Sequence, residues 1–271
     1  MSRFNDSVPQ IEIRLLMSHP ELSISVVSHA QCHWVADLLD DISKYYPRNS
    51  LLEVILTLNL GEALPFNPVG FAFKIKVIQN AVPMGFSANH NQAFQQSSGK
   101  FFCVINPDIR LNHDPFPALI TCLHDSSIAV VAPLVVNERG LIEDSARRFP
   151  TPFKILCKAI GGCKGSDYFV KDEVIFPDWV GGMFMLFRRE AFEQSCGFDQ
   201  RYFLYYEDVD LCARLRLQGL QVALCPDAKV VHHAHRSSHR SLKYLRWHLS
   251  SMLRFFTSSP FLNICWIRLK K

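Results

Sequence analysis

The chain has 271 residues, a net charge of +4 and an apolar content near one half, enough for one large domain with a sizeable core. So mild a charge gives no footprint for a nucleic-acid partner. The nine cysteines are odd in number, sit in apolar runs such as Phe102-Cys103-Val104 and form no Cys-x-x-Cys pair, which points to a reducing, cytosolic compartment.

Residues 1–21 carry no clear pattern and read as an N-terminal extension; Glu12, Arg14 and Glu21 interrupt its apolar residues, so it is not a secretory leader. No apolar run approaches the ~20 residues that cross a bilayer. Organised structure is expected from Leu22–Ser28, an alternating β-branched strand, followed by a helix from Cys32 to about Ser43 with Trp34, Leu38, Leu39 and Ile42 on one stripe. Leu51–Leu58 and Phe73–Ile78 read as further strands. After a turn at Gly85 come a helix from about Ser87 to Gln96, a stop at Ser98-Gly99 and the strand Phe101–Ile105. This alternation predicts βαβ units and a mostly parallel sheet flanked by helices.

Downstream the pattern predicts a strand at Ile128–Val136, a polar loop over Asp144–Pro152, one strand over Trp179–Phe187 and a helix starting near Glu207. Short strands at Gln221–Cys225 and Lys229–His232 and a helical stretch from about Arg240 to Phe256 complete the chain. With no repeat or linker, the expected organisation is an extension (1–21), one catalytic domain (22–238) and a basic, aromatic helical appendage (239–271).

Several clusters could carry chemistry. Asn106-Pro107-Asp108 places a carboxylate just past a buried strand, where α/β sheets bind ligands and where Mg²⁺ or Mn²⁺ could bridge a diphosphate; a Pro-Asp turn closing the strand would look the same. Glu207, Asp208 and Asp210 suit a helix N-terminus, yet three carboxylates in four positions exceed what capping needs. Crowding raises the pKa of at least one, as a general base requires. His232, His233 and His235 follow a Val-Val strand and are satisfied histidines or a metal ligand. Arg147 and Arg148 lie on the polar loop, either solvated or holding phosphate oxygens. Leu242–Leu269 interleaves Trp and Phe with Lys and Arg, as a packed helix or a segment on anionic lipid would.

The ordered set Trp179-Val180-Gly181-Gly182, Gly197-Phe198-Asp199, the aromatic run into Glu207-Asp208-Val209-Asp210, and Val230-Val231-His232-His233 resembles the inverting family-2 glycosyltransferases, in particular their rhamnosyltransferase-like branch. Asn80 and Gly85-Phe86-Ser87-Ala88-Asn89 match another segment of the family, and the likeness runs from about Leu22 to about Ser238. It implies an α/β GT-A-type nucleotide-diphospho-sugar transferase fold. By the same resemblance Asp208 is the base and Glu207 its neighbour at the acceptor, and Asp108 and His232 hold Mg²⁺ or Mn²⁺. Asn59, Asn80, Gly85, Asn89, Asn106 and Arg147 fall on the donor side, Arg147 with an acceptor role as its alternative, and Trp179, Gly181, Gly182 and Asp199 fall on the acceptor side.

The implied donor is a nucleotide-diphospho-sugar, dTDP-rhamnose favoured, and the implied acceptor a saccharide or lipid-linked saccharide in cell-surface polysaccharide (O-antigen-type) synthesis. Such an enzyme would be cytoplasmic, or peripheral on the inner membrane's cytoplasmic face. Two positions depart from the family pattern. The first strand ends in Ser28-His29, and the second in Leu58-Asn59 where an acid is usual, which leaves the nucleotide open. The rivals are a nucleotidyltransferase, which should carry a Gly-rich basic loop after the first strand where Ser28-His29-Ala30-Gln31 stands, and an inactive nucleotide-sugar- or carbohydrate-binding protein.

Overall fold

Alternation along the first strand, β1 (Leu22–Ser28), sends Leu22, Ile24 and Val26 into an apolar layer, while Ser23 and Ser25 face the other way and are satisfied by Glu53 and His90. The computed structural model describes residues 20–46, 51–159, 161–162, 165–233 and 242–270; most of the expected extension and His235 lie outside them. Helix α1 (Cys32–Tyr45) covers the apolar side of β1 through Val35, Leu38, Leu39 and Ile42. The chain then lays down β2 (Leu52–Leu58) and β3 (Lys74–Gln79), each parallel to its predecessor and each farther from β1. Helix α2 (Phe86–Gln96) returns the chain so that β4 (Phe101–Ile105) pairs on the opposite side of β1.

After the short β5 (Ile109–Arg110) come α3 (Phe116–Leu123) and β6 (Ile128–Asn137). The expected loop holds the two-residue β7 (Ala146–Arg147) and leads into α4 (Pro152–Ala159). The single strand expected over Trp179–Phe187 is two strands, β8 (Trp179–Val180) and β9 (Phe184–Arg188), separated by a turn at Gly181-Gly182-Met183. Then follow α5 (Arg189–Gln194), α6 (Glu207–Leu217) and β10 (Gln221–His232), the last running through a register shift between Cys225 and Lys229 where two strands were expected. Two helices close the described chain, α7 (Leu242–Phe256) and α8 (Ser259–Leu269).

The main sheet has the order β3-β2-β1-β4-β9-β6-β10-β5 and is mostly parallel, with β9 reversed between β4 and β6 and β5 reversed at the edge. One apolar layer, under α1 and α3, fills one face; the other, containing Phe102, Met185, Phe187, Phe192, Phe198 and Leu211, lies under α5, α6 and α8. Two consequences position the site. The order reverses between β1 and β4, which opens a crevice at their carboxyl ends. Because β9 runs the other way, its start lies at that same edge, with Phe184 opposite Ile105. The Gly181-Gly182-Met183 turn therefore arrives beside the residues that follow β4.

Candidate active site

A cavity of about 560 Å³ occupies the crevice. Val27 and His29 come from the end of β1, Asn59 from the end of β2 and Asn106-Pro107-Asp108 from the end of β4, with Trp34, Phe203, Tyr244 and Trp247 as aromatic walls. Asn59 lines its floor, but its amide is already engaged. Oδ1 accepts from Asn80 Nδ2 at 2.9 Å and from the Met84 amide at 2.8 Å, and Nδ2 donates to the Met84 carbonyl at 2.9 Å. Asn80 also donates to Asn89 Oδ1 at 2.7 Å. The three asparagines staple the 80–85 loop to the sheet edge and build the cavity's shape. His90, also on the floor, meets Ser25 Oγ through Nδ1 at 2.8 Å, and burial pushes its pKa down to about 3, so it is a neutral ring.

At one end of this cavity Asp108 and His232 stand together because β4 and β10 end at the same sheet edge. His232 Nε2 lies 3.4 Å from Asp108 Oδ2, and its Nδ1 lies 2.8 Å from Glu143 Oε2, a carboxylate just past β6. Burial alone would lower the pKa of His232; hydrogen bonds to Asp108 and Glu143 outweigh it and push the value up to about 9. Asp108 Oδ1 is buried and has no hydrogen-bond partner among the described residues. No group of three or more His, Cys, Asp or Glu side chains forms a closed metal cage among the described residues.

A second cavity, of about 350 Å³, lies at the start of α6 and is lined by Arg147, Arg148, Lys154, Trp179, Tyr205, Tyr206, Glu207, Asp208 and His248. Asp208 is fixed by its own helix start and by the reversed strand: Oδ1 accepts from the Val209 amide at 2.8 Å and Oδ2 from the Gly182 amide at 2.9 Å. Burial raises its pKa, against the pull of these amides and of Arg147. Burial and the adjacent Asp208 raise Glu207 farther above the ordinary carboxylate range, and its buried Oε2 has no partner among the described residues. Two neighbouring carboxyls that burial pushes upward titrate as a pair, and a carboxylate raised in this way suits a general base.

The loop between the cavities is held under strain. Tyr205 and Tyr206 both have positive φ, 70° and 68°, a conformation costing of order 1–3 kcal/mol for each non-glycine residue and persisting where surrounding structure over-determines it. Here Phe203 stacks on Trp247 with ring centroids 4.6 Å apart, the Leu204 carbonyl accepts from Ser251 Oγ, and the Phe203 carbonyl accepts from the Phe86 amide at 2.8 Å.

The structure thus gathers Asn59, Gly85, Asn89, Asn106 and Asp108 around the first cavity, with His232 against Asp108 and Asn80 behind the floor. Asp208, Glu207, Trp179 and Arg147 line the second, and Arg147 sits over the Trp179 ring at 5.5 Å, away from the first cavity. Gly182 lies between, touching Asp208. Three positions also have structural engagements of their own. Gly85 approaches the Phe203 backbone, where an added Cβ would come within 2.5 Å of the carbonyl oxygen. Gly181 hydrogen-bonds the Ser145 carbonyl, and Asp199 is engaged by Arg201 and lines neither cavity. Asp210 is paired with Arg214, whose guanidinium also donates to the Ser195 and Gly197 carbonyls. Glu143 carries no local signal; His29 reads as a departure from the family pattern, Trp34 as part of the α1 packing stripe and the α7 aromatics as a packed or lipid-facing helix, yet His29, Trp34, Tyr244 and Trp247 line the first cavity.

A crevice at the β1/β4 switch point of this mixed sheet, with a carboxylate past β4, is the GT-A architecture, and solved structures share that fold. GalNAc-T7 with UDP, GalNAc and Mn²⁺ is similar to this chain with a TM-score of 0.62 at 15% identity, covering 80% of this chain and 44% of its own. Residues 169–250 match the model of "Glycosyltransferase like family 2". The rhamnosyltransferase WbbL of Escherichia coli K12 is 30% identical over 193 residues, covering 66% of this chain and 72% of WbbL. The Mycobacterium tuberculosis N-acetylglucosaminyl-diphospho-decaprenol L-rhamnosyltransferase is 32% identical over 163 residues, 56% of this chain and 53% of the relative, so the chain spans about half of that protein. The chain belongs to the family-2 glycosyltransferases, in their rhamnosyltransferase-like branch.

Proposed function

We propose that the protein transfers a hexose, L-rhamnose favoured, from a nucleotide-diphosphate donor such as dTDP-rhamnose to a saccharide or lipid-linked saccharide, with inversion, in cell-surface polysaccharide synthesis. The observation that carries this reading is the placement of Asp208. It is the carboxylate held by two backbone amides in an aromatic-walled cavity, beside a second cavity at the switch point that suits a nucleotide diphosphate. Trp179, Tyr205 and Tyr206 offer ring faces to a sugar, and Asp208 takes the proton of its attacking hydroxyl. Glu207, its neighbour in the same cavity, contacts the acceptor. Arg147, paired with Asp144, and Arg148 stand at the rim to meet an acceptor or donor phosphate, while Lys154 is taken up by Asp167 of the same lining. The rhamnosyltransferase relatives support the sugar.

The residues at Asp108 fit a hard divalent cation, Mg²⁺ or Mn²⁺. One carboxylate oxygen is buried without a partner, an imidazole stands beside it, and Glu143 orients that imidazole from behind in the arrangement typical of metal-bound histidine. When bound, the cation would offset charge on the leaving diphosphate. The cation would have to displace the proton that His232 now holds. Peripheral attachment to the cytoplasmic face of the inner membrane belongs to the same reading. A panel of nucleotide sugars screened by thermal shift with and without Mn²⁺ tests it: dTDP-rhamnose with Mn²⁺ should raise the melting temperature most. No shift with any nucleotide sugar would overturn it and favour the inactive-binder rival for other ligands.

A further inference from the structure

We infer that the outer face of α7 is a docking surface for an anionic bilayer, and that the helix meeting the lipid is the one that walls both cavities. This rests on the peripheral attachment above and assigns it to a surface. At about 100° per residue, Leu242, Leu245, Leu249 and Leu253 fall on one stripe about 80° wide, and Tyr244, Trp247, His248, Ser251 and Phe255 fall on the roughly opposite face. The inner face is committed. Tyr244 and Trp247 line the first cavity, His248 the second, Ser251 holds Leu204, and Phe255 is buried against Tyr206. The outer four leucines are 78%, 52%, 44% and 61% exposed.

Charge identifies the occupant. Between Leu242 and Lys270 there is no Asp or Glu, while Lys243, Arg246, Arg254, Arg268 and Lys270 are spread along both helices. Arg268 is taken up by Asp178, while no ion pair among the described residues engages Arg246 or Arg254. Helix α8 repeats the arrangement, with Leu262, Trp266 and Leu269 exposed at 56%, 60% and 82% while Phe261 and Ile264 are buried. Exposed apolar stripes bordered by Lys243, Arg246, Arg254 and Lys270, on two helices that carry no acid of their own, match a surface that is apolar below and anionic above, as acidic phospholipid is. A protein partner would need acidic groups around an apolar ridge; a second copy of this acid-free face would meet like charge. Docked this way, the enzyme holds the Asp208 cavity one helix away from the lipid that carries a lipid-linked acceptor.

Flotation of the full chain with vesicles of phosphatidylcholine alone, or with about one quarter phosphatidylglycerol, tests this. Wild type should float with the anionic vesicles only. Leu245→Ser/Leu249→Ser/Leu253→Ser should lose at least about tenfold in association, and Arg246→Gln/Arg254→Gln should lose the preference for anionic lipid. Because none of these side chains lines a cavity, the leucine variant should keep the wild-type melting temperature shift with nucleotide sugar and Mn²⁺. Undiminished flotation of the leucine variant would overturn the inference. So would a wild-type dimer in sedimentation velocity that the leucine substitutions dissolve, since the stripe would then be a protein interface. A wild type that floats but binds no nucleotide sugar would instead defeat the glycosyltransfer reading and leave the docking surface standing.

Discussion

Gly85→Ala isolates the contact that sets the loop between the two cavities. Gly85 has an ordinary φ of −72°, so alanine adds no backbone strain; the whole effect is steric. The new Cβ would lie 2.5 Å from the Phe203 carbonyl oxygen and 2.8 Å from its Cα, both backbone atoms that cannot rotate away. Overpacking of this kind costs about 1–3 kcal/mol. At about 2–4 °C per kcal/mol for a domain of this size, the melting temperature should fall by about 2–12 °C. Relief can come only by moving the 203–206 segment, which carries Tyr205 and Tyr206 into Glu207 and Asp208. A displacement near 1 Å there should cut turnover by up to about 10²-fold. Gly61→Ala is the control, since its Cβ would meet nothing within 4 Å. If the two variants melt and turn over alike, Gly85 is not the seat of the loop and the reasoning fails.

Arg214→Ala should destabilise the protein by about 3–5 kcal/mol in chemical denaturation, because it strands the buried Asp210 carboxylate and two carbonyls at the end of α5. Glu53 is buried, which would raise its pKa, but Lys76, Ser23 and Ser98 hold it below the ordinary value. Its contribution is complete above the unfolded pKa of about 4.3 and is lost as pH falls through the lower folded value, so Glu53→Gln should flatten the loss of stability below about pH 5. Glu143→Gln should weaken Mn²⁺ binding about 10–100-fold in titration calorimetry with nucleotide diphosphate present, by loosening His232; unchanged affinity would remove Glu143 from the metal's support.

Much of this was legible along the chain. Strand β1 is legible by its alternation and β2 and β4 by short apolar runs bounded by turn residues, with Asn106-Pro107-Asp108 following β4 and Glu207-Asp208 opening α6 as expected. Strand direction was not legible. Trp179–Phe187 reads as one strand because its residues are apolar throughout, yet the reversed β9 needs a turn at Gly181–Met183, and that turn supplies the Gly182 amide to Asp208. Gln221–Cys225 and Lys229–His232 read as two short strands, but the chain continues through Pro226–Ala228 as one strand with a shifted register. Glu143 meets His232 across 89 residues at the sheet edge, and Trp247 on α7 stacks on Phe203 of a distant loop, contacts that only the folded chain brings together.

The central claim is that Asp208 is the base for the acceptor, and Asp208→Asn tests it most directly in steady-state transfer from the activating nucleotide sugar. The substitution keeps the side chain's shape and removes its proton-accepting oxygen, so turnover should fall about 10²–10⁴-fold. Nucleotide-sugar binding with Mn²⁺, which we propose for the other cavity, should stay near wild type, and the wild-type product should have the donor's anomeric configuration inverted. Wild-type turnover by the Asn variant, or a product that retains the donor's configuration, would contradict it.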